Sequence, residues 1–144
     1  MISLSVTGLA KYVRTLLQLR RSIRSDIPLK RIGVKLTQKI DSYFNKQGNE
    51  GTRWAPLNNP RPTNKNILIT TGALRSSFEF SIKRGEVIVG SKVEYSAKHQ
   101  QYYGTTRFSN AQIPRRPMLP PQQIVGQIAE EQFNRYFNEV IGRV

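Results

Sequence analysis

The chain has 144 residues, with 23 Lys plus Arg against 9 Asp plus Glu, a formal net charge of +14. It has no Cys and one His, which excludes a disulfide framework, a thiolate nucleophile, a Cys-ligated zinc and a two-histidine metal site. The length suits one domain, 1–144, and six Phe, six Tyr and one Trp predict a packed core although only 38% of the residues are apolar.

The N-terminal stretch MISLSVTGLAKYVRTLL has no continuous apolar run after a basic start, so it does not read as a secretory signal. No apolar run approaches the ~18–20 residues of a membrane span. The expectation is a soluble, intracellular domain without a membrane, and the lack of Cys is compatible with a reducing cytosol. Residues 8–24 read as a helix, with Leu9, Val13, Leu16, Leu17 and Ile23 on one side and Lys11, Arg14, Gln18 and Arg21 on the other. Such a basic amphipathic helix suits a membrane surface, but a core this small is expected to need its apolar face. Asp26 before Pro28 reads as an N-cap followed by a first-turn proline. A second helix to about residue 46 follows from the stripe Leu29, Ile32, Leu36, Ile40, Tyr43 and Phe44.

Residues 45–66 hold three Pro, two Gly and six Asn, and read as a long irregular loop pinned by Trp54 and Leu57. After the short apolar run Ile67, Leu68, Ile69, the period switches to two. Leu74, Phe78, Phe80 and Ile82 alternate with polar residues as in a half-buried strand. Arg84-Gly85 is a turn signal and Val87, Ile88, Val89 a second strand ended by Gly90, which makes a β-hairpin. Helix and strand both fit residues 93–103. Residues 104–123 are irregular, with Pro at 114, 117, 120 and 121. A C-terminal helix over about 121–141 presents Ile124, Val125, Ile128, Phe133, Tyr136, Phe137, Val140 and Ile141 as a broad apolar face. The order predicts an α+β fold, an antiparallel sheet packed against N- and C-terminal helices.

The charge is spread along the chain. Net charge is +7 over residues 1–44, +5 over 45–85, +3 over 86–117 and −1 over 118–144. It therefore belongs to the folded surface, not to a tail, and exceeds the ~2–8 sought for a small designed domain. An acidic partner is expected: nucleic acid, an anionic surface or an acidic protein. No stacking platform and no DNA-reading signature is present. His99, the one plausible base, has Glu94 as its nearest carboxylate and reads more readily as a structural histidine. Glu130-Glu131 are adjacent on a helix and do not face each other, so they build no metal pair. Gly72, Gly85, Gly90 and Gly104 form no phosphate-binding motif.

Five motifs follow one another: GTRWAPL, ILITTGALRSSF, VGSKVEYSAKHQQYYG with its strand end and its His-Gln pair, and IPRRPMLPP. In this order they resemble the phage virion morphogenesis, or phage tail completion, family over about residues 26–125. The match rests on Gly51, Trp54, Pro56 and Leu57; Leu68, Thr71, Gly72 and Leu74; Val89, Gly90 and Ser91; Tyr95, His99 and Gln100; and Ile113, Pro114, Arg116 and Pro117. Ser96 stands where the family has a small residue after Tyr, and the glycine after His-Gln is displaced to Gly104.

The resemblance implies a non-catalytic structural protein at the phage neck, in the virion and, during assembly, in the host cytoplasm. It implies no cofactor or metal, and a homo-oligomeric ring, a hexamer favoured and a dodecamer the alternative. The ring would contact neighbouring neck and tail-tube proteins and pass phage DNA without reading its sequence. Trp54, Leu57, His99, Gln100, Ile113, Arg115 and Arg116 are the interface candidates on that basis. Trp54 also admits a second reading, as the cap of its own core. Lys11, Arg14, Arg21, Lys30 and Arg31 are the candidates for facing DNA or an acidic neighbour. A general double-stranded DNA-binding protein is the alternative function, and an enzyme such as a nuclease the third.

Overall fold

The computed structural model describes residues 9–24, 26–56, 67–69, 72–101 and 114–143, with only the backbone described at 9–12, 22 and 101. Leu57, Thr71, Gly104, Ile113 and the side chain of Lys11 lie outside that description. The elements are helix α1 (Leu9–Ser22), helix α2 (Asp26–Lys46), strands β1 (Gly48–Asn49) and β2 (Thr52–Arg53), the one-turn helix α3 (Ala73–Ser76), strands β3 (Phe78–Lys83) and β4 (Glu86–Ser91), helix α4 (Ser96–Gln101) and helix α5 (Gln122–Gly142). The α+β class stands, but the sheet is two separate two-stranded antiparallel ribbons, β1–β2 and β3–β4.

Strands β3, β4 and β1 and helix α5 pack on α2. Ile32, Leu36, Ile40, Tyr43 and Phe44 of its predicted stripe are buried, and Leu29 is half-buried. Its C-terminal half anchors the main core with Trp54, Ile67, Leu74 and Met118, against which Phe78 and Val89 of the β3–β4 ribbon pack. Phe44 meets Trp54 edge-on at 5.2 Å, an arrangement favoured by the ring quadrupoles. Two opposite sides of α2 receive different neighbours. Gly33 accepts the ring of Phe80 from β3, so close that a Cβ there would lie 2.3 Å from it. Arg31, two residues away and roughly on the far side of the helix, reaches Glu139 of α5 at 2.8 Å.

Both ribbons close through two-residue turns with two consecutive positive φ angles, Glu50 (45°) and Gly51 (83°) in one, Arg84 (50°) and Gly85 (79°) in the other. This is the twist-matched type I′ geometry. The first ribbon lies inside the stretch read as a structureless loop. Two-residue strands carry no detectable alternation, and what organises them is tertiary: Tyr43 donates to Glu50 at 2.5 Å and Lys39 pairs with it at 2.8 Å.

Four expectations are corrected. Asp26 is the first residue of α2, not the cap before it, and its carboxylate accepts from Arg24 at 3.2 Å. Leu74 belongs to α3, not to a strand: its four-residue step to Phe78 is a helical step as well as an alternating one. Gly90 lies inside β4, which ends at Ser91. Most consequentially, the apolar face of α1 is not in the core. Val13, Leu16, Leu17 and Ile23 are all exposed, Leu16 at 62%, and so are Phe137 and Ile141 on α5, the latter at 59%. Residues 93–103 resolve into α4 as far as Gln101.

Filling the Gly33 notch tests the α2–β3 contact. Gly33→Ala is expected to destabilise by about 1–3 kcal/mol through overpacking, and Phe80→Leu in the same chain is expected to recover part of that loss in urea unfolding.

Candidate functional site

The motif residues converge on a polar clasp that ties two irregular segments to the end of the short helix α4. Residues 54–56 leave the β1–β2 ribbon, residues 99–100 close α4, and residues 114–121 lead into α5. Irregular backbone inside a core must satisfy its own polar groups. Here side chains do so. Arg116, only 6% exposed, donates from Nε to the Ala55 carbonyl at 2.9 Å and from Nη2 to the Pro56 carbonyl at 3.0 Å. Trp54, 4% exposed, donates from Nε1 to the Pro117 carbonyl at 2.9 Å. Buried Asn49 donates to the Pro117 and Leu119 carbonyls at 3.1 and 3.0 Å. The Gln100 Oε1 accepts from the Met118 and Leu119 amides at 2.7 and 3.1 Å. The Arg116 amide donates to the His99 carbonyl at 2.7 Å.

Gln47 performs the same work at the C-terminus of α2. It takes a positive φ of 53°, as a residue just past a helix end commonly does. Its side chain donates to the Phe44 and Ile67 carbonyls and accepts from the Ile67 amide, while its own carbonyl receives the Trp54 amide at 2.8 Å. Ser91 Oγ lies 2.6 Å from Ser77 Oγ and accepts the Val93 amide at 3.1 Å, which fixes the chain where it leaves β4. Gly72 starts α3 with φ 74°, a conformation for which glycine is the natural residue.

The electrostatics of the clasp are unusual. Among the described residues no carboxylate lies within ion-pair distance of Arg116. Burial pushes its pKa down from the ordinary value, yet a guanidinium stays charged near neutral pH. Carbonyl dipoles therefore stabilise a buried cation. His99 sits beside it, edge-on to Tyr95 at 6.4 Å, with Nδ1 buried and, among the described residues, without a hydrogen-bond partner. Burial first, and the Arg116 charge second, hold the His99 pKa below its ordinary value. His99 is part of the clasp, and among the described residues no carboxylate pairs with it. Among the described residues no three His, Asp or Glu side chains gather as a metal set.

Five interface candidates are thus brought together, though not on a free surface. Trp54 and Arg116 are built into the subunit core; His99 and Gln100 are half-buried. Arg115 is exposed and donates to the Gln100 carbonyl at 3.2 Å. Trp54 lies in the core of its own chain. The basic candidates fall elsewhere: Arg14 and Arg21 are exposed on α1, Lys30 is exposed on α2, and Arg31 is bound to Glu139. Asn49, Gln47 and Met118 were not foreseen. Nothing local marks them, since an Asn or Gln after a helix reads as an ordinary turn residue.

A family model of phage virion morphogenesis proteins matches residues 4–138. The chain belongs to the phage virion morphogenesis family. No curated protein and no solved structure matches it. Family membership gives the chain a structural or assembly role in the phage virion. Trp54, Gly72, Ser91, Gln100 and Arg116 hold the fold of the chain together. Among the described residues no helix is long and apolar enough to cross a membrane.

Two outcomes test the clasp. Arg116→Met leaves the Ala55 and Pro56 carbonyls without their donor and is expected to cost about 1–3 kcal/mol in urea unfolding. Trp54→Phe, where Asn49 still serves Pro117, is expected to cost less, about 0.5–1.5 kcal/mol. The second outcome concerns pH. Above the ordinary histidine value of 6.5, His99 is neutral in the folded and unfolded chain and adds no pH dependence. As pH falls through that value the unfolded chain takes up a proton that the folded one refuses, so stability declines. His99→Gln is expected to flatten the stability profile between pH 7.5 and 5.5. The paired carboxylates Asp41, Glu50 and Glu139, all held below their ordinary value by their cationic or hydroxyl partners, lose their contribution only in more acid solution.

Proposed function

We propose that this chain is a non-catalytic subunit of the virion neck, a tail-completion or tail-terminator-type protein that closes into a ring, a hexamer in the favoured case, around the DNA path. Beyond family membership, the observation that carries this reading is the pair of apolar helix faces that one copy leaves uncovered. On α1 these are Val13, Leu16 and Leu17, with Ile23 just after its end, and on α5 Phe137 and Ile141. Contiguous exposed apolar surface on a soluble chain marks an interaction site. A ring needs heterologous contact, one patch against a different patch on the next copy. Two helices of different charge supply two such patches: α1 carries Arg14, Arg20 and Arg21, whereas α5 carries exposed Glu130 and Glu131. Neighbouring neck and tail-tube rings are the further partners. The chain then resides in the virion, after assembly in the host cytoplasm.

A net charge of +14 on every copy opposes closure. Assembly of the purified protein therefore depends on salt, or on an acidic neighbour that neutralises the repulsion. The wild-type chain is expected to sediment as a monomer at ~50 mM salt and as a ring at ~500 mM. Leu16→Glu with Leu17→Glu is expected to stay monomeric at both while unfolding at the wild-type temperature. A double variant that assembles like the wild type removes α1 from the interface, and a ring already stable at low salt removes the charge argument.

The alternative reading, a general double-stranded DNA-binding protein, draws on the same positive surface. It separates from the first in the particle: a neck subunit is retained in purified virions, and a general DNA-binding protein remains with the genome in the cell.

A further inference from the structure

Between α2 and α5 runs a groove of about 550 Å³ whose lining brings together Arg24, Lys30, Arg31, Lys35 and Arg135. Asp26 is the one carboxylate in that lining among the described residues, and it is taken up by Arg24. Glu139 is shared between Arg31 and Arg135 at 2.8 and 3.4 Å. Five cations thus face two carboxylates, and the groove keeps a net positive charge. Lys30 and Lys35 are exposed and enter no ion pair among the described residues. Arg31 uses Nη2 on Glu139, but its Nη1 is buried without a hydrogen-bond partner among the described residues. A buried guanidinium donor left open is costly unless an acceptor enters from outside.

The geometry points to this groove as a seat for the phosphate backbone of double-stranded DNA. The cations do not stop at the groove. Arg20 and Arg21, exposed at the end of α1, precede Arg24 by four and three residues in the chain. A single acidic side chain satisfies one or two such donors, whereas duplex DNA offers one negative charge per ~1.7 Å of its axis and matches an extended row. Among the described residues no aromatic side chain lines the groove, which offers no platform for stacking a base. Contact is with phosphate oxygens alone, which fixes position on the duplex without reading sequence. This site deepens the ring reading, because DNA must pass such a ring, but binding and assembly are measured separately.

The test uses the full chain and a fluorescently labelled 30-base-pair duplex of arbitrary sequence, titrated between ~50 and ~200 mM salt. Lys30→Gln with Lys35→Gln removes two groove charges. Lys83→Gln with Arg84→Gln removes two equally exposed charges from the β3–β4 turn and is the control. The groove pair is expected to weaken binding about tenfold or more and to lower the salt slope by about two; the control is expected to weaken it less than about threefold. Equal losses from both pairs, or no binding by the wild type at ~50 mM salt, overturn the site. Polyglutamate displacing the duplex as well as unlabelled duplex does also overturns it, and reassigns the groove to an acidic protein segment. Sedimentation of the groove variant is read alongside. Wild-type assembly with lost DNA binding isolates the groove, and absent assembly with intact DNA binding counts against the ring alone.

Discussion

A guanidinium buried without a carboxylate is the constraint on which this structure turns. Arg116 is taken out of water and stabilised by the carbonyls of Ala55 and Pro56, so those carbonyls must be held where the side chain can reach them. Trp54 and Asn49 hold the far strand of the arrangement by donating to Pro117 and Leu119. Gln100 fixes the amides between them. Residues 54–56 and 114–121 are irregular, and each segment has its backbone hydrogen bonding completed by side chains of another. Proline suits this role: at 114, 117, 120 and 121 it removes backbone donors that would otherwise need acceptors.

The position of α5 follows from the clasp. The helix starts at Gln122, directly after the clasped segment, and runs back to α2, where Tyr136 and Val140 are buried. Glu139 meets Arg31, and the Tyr136 hydroxyl accepts the Arg24 amide at 2.6 Å. That single approach creates both surfaces of interest. It leaves the cations of α2 lining one groove, and it turns Phe137 and Ile141 outward on the face away from the core. The clasp residues therefore act at a distance, by setting where α5 lies.

The parts of the fold visible in the sequence are those dictated by local periodicity. The α2 stripe, the Arg84-Gly85 turn and the C-terminal helix depend on spacing that any window reveals. What lay beyond reach depends on tertiary partners. The β1–β2 ribbon has two-residue strands and exists because Tyr43 and Lys39 hold Glu50. The α1 stripe has the pattern of a core-facing helix, and periodicity cannot say whether the surface it buries belongs to its own subunit. The same limit applied to Trp54 and Arg116: their motif spacing identified the family, but only the packing showed that they face inward. The groove was half legible. Lys30 and Arg31 were candidates from sequence, whereas Lys35, Arg24 and Arg135 join them only once α5 is in place.

Charge sharpened in meaning along the way. A net +14 spread over a folded surface acts both as a self-repulsion between copies and as an attraction for phosphates or acidic neighbours, and a ring about a DNA path places both effects in one assembly. A reconstruction of the intact phage particle with this chain located by label or by density tests that claim most directly. The account predicts a ring of copies on the tail axis at the head–tail junction, with α1 of each copy against the next. A particle from which the chain is absent, or in which it sits as isolated copies away from the axis, would contradict it.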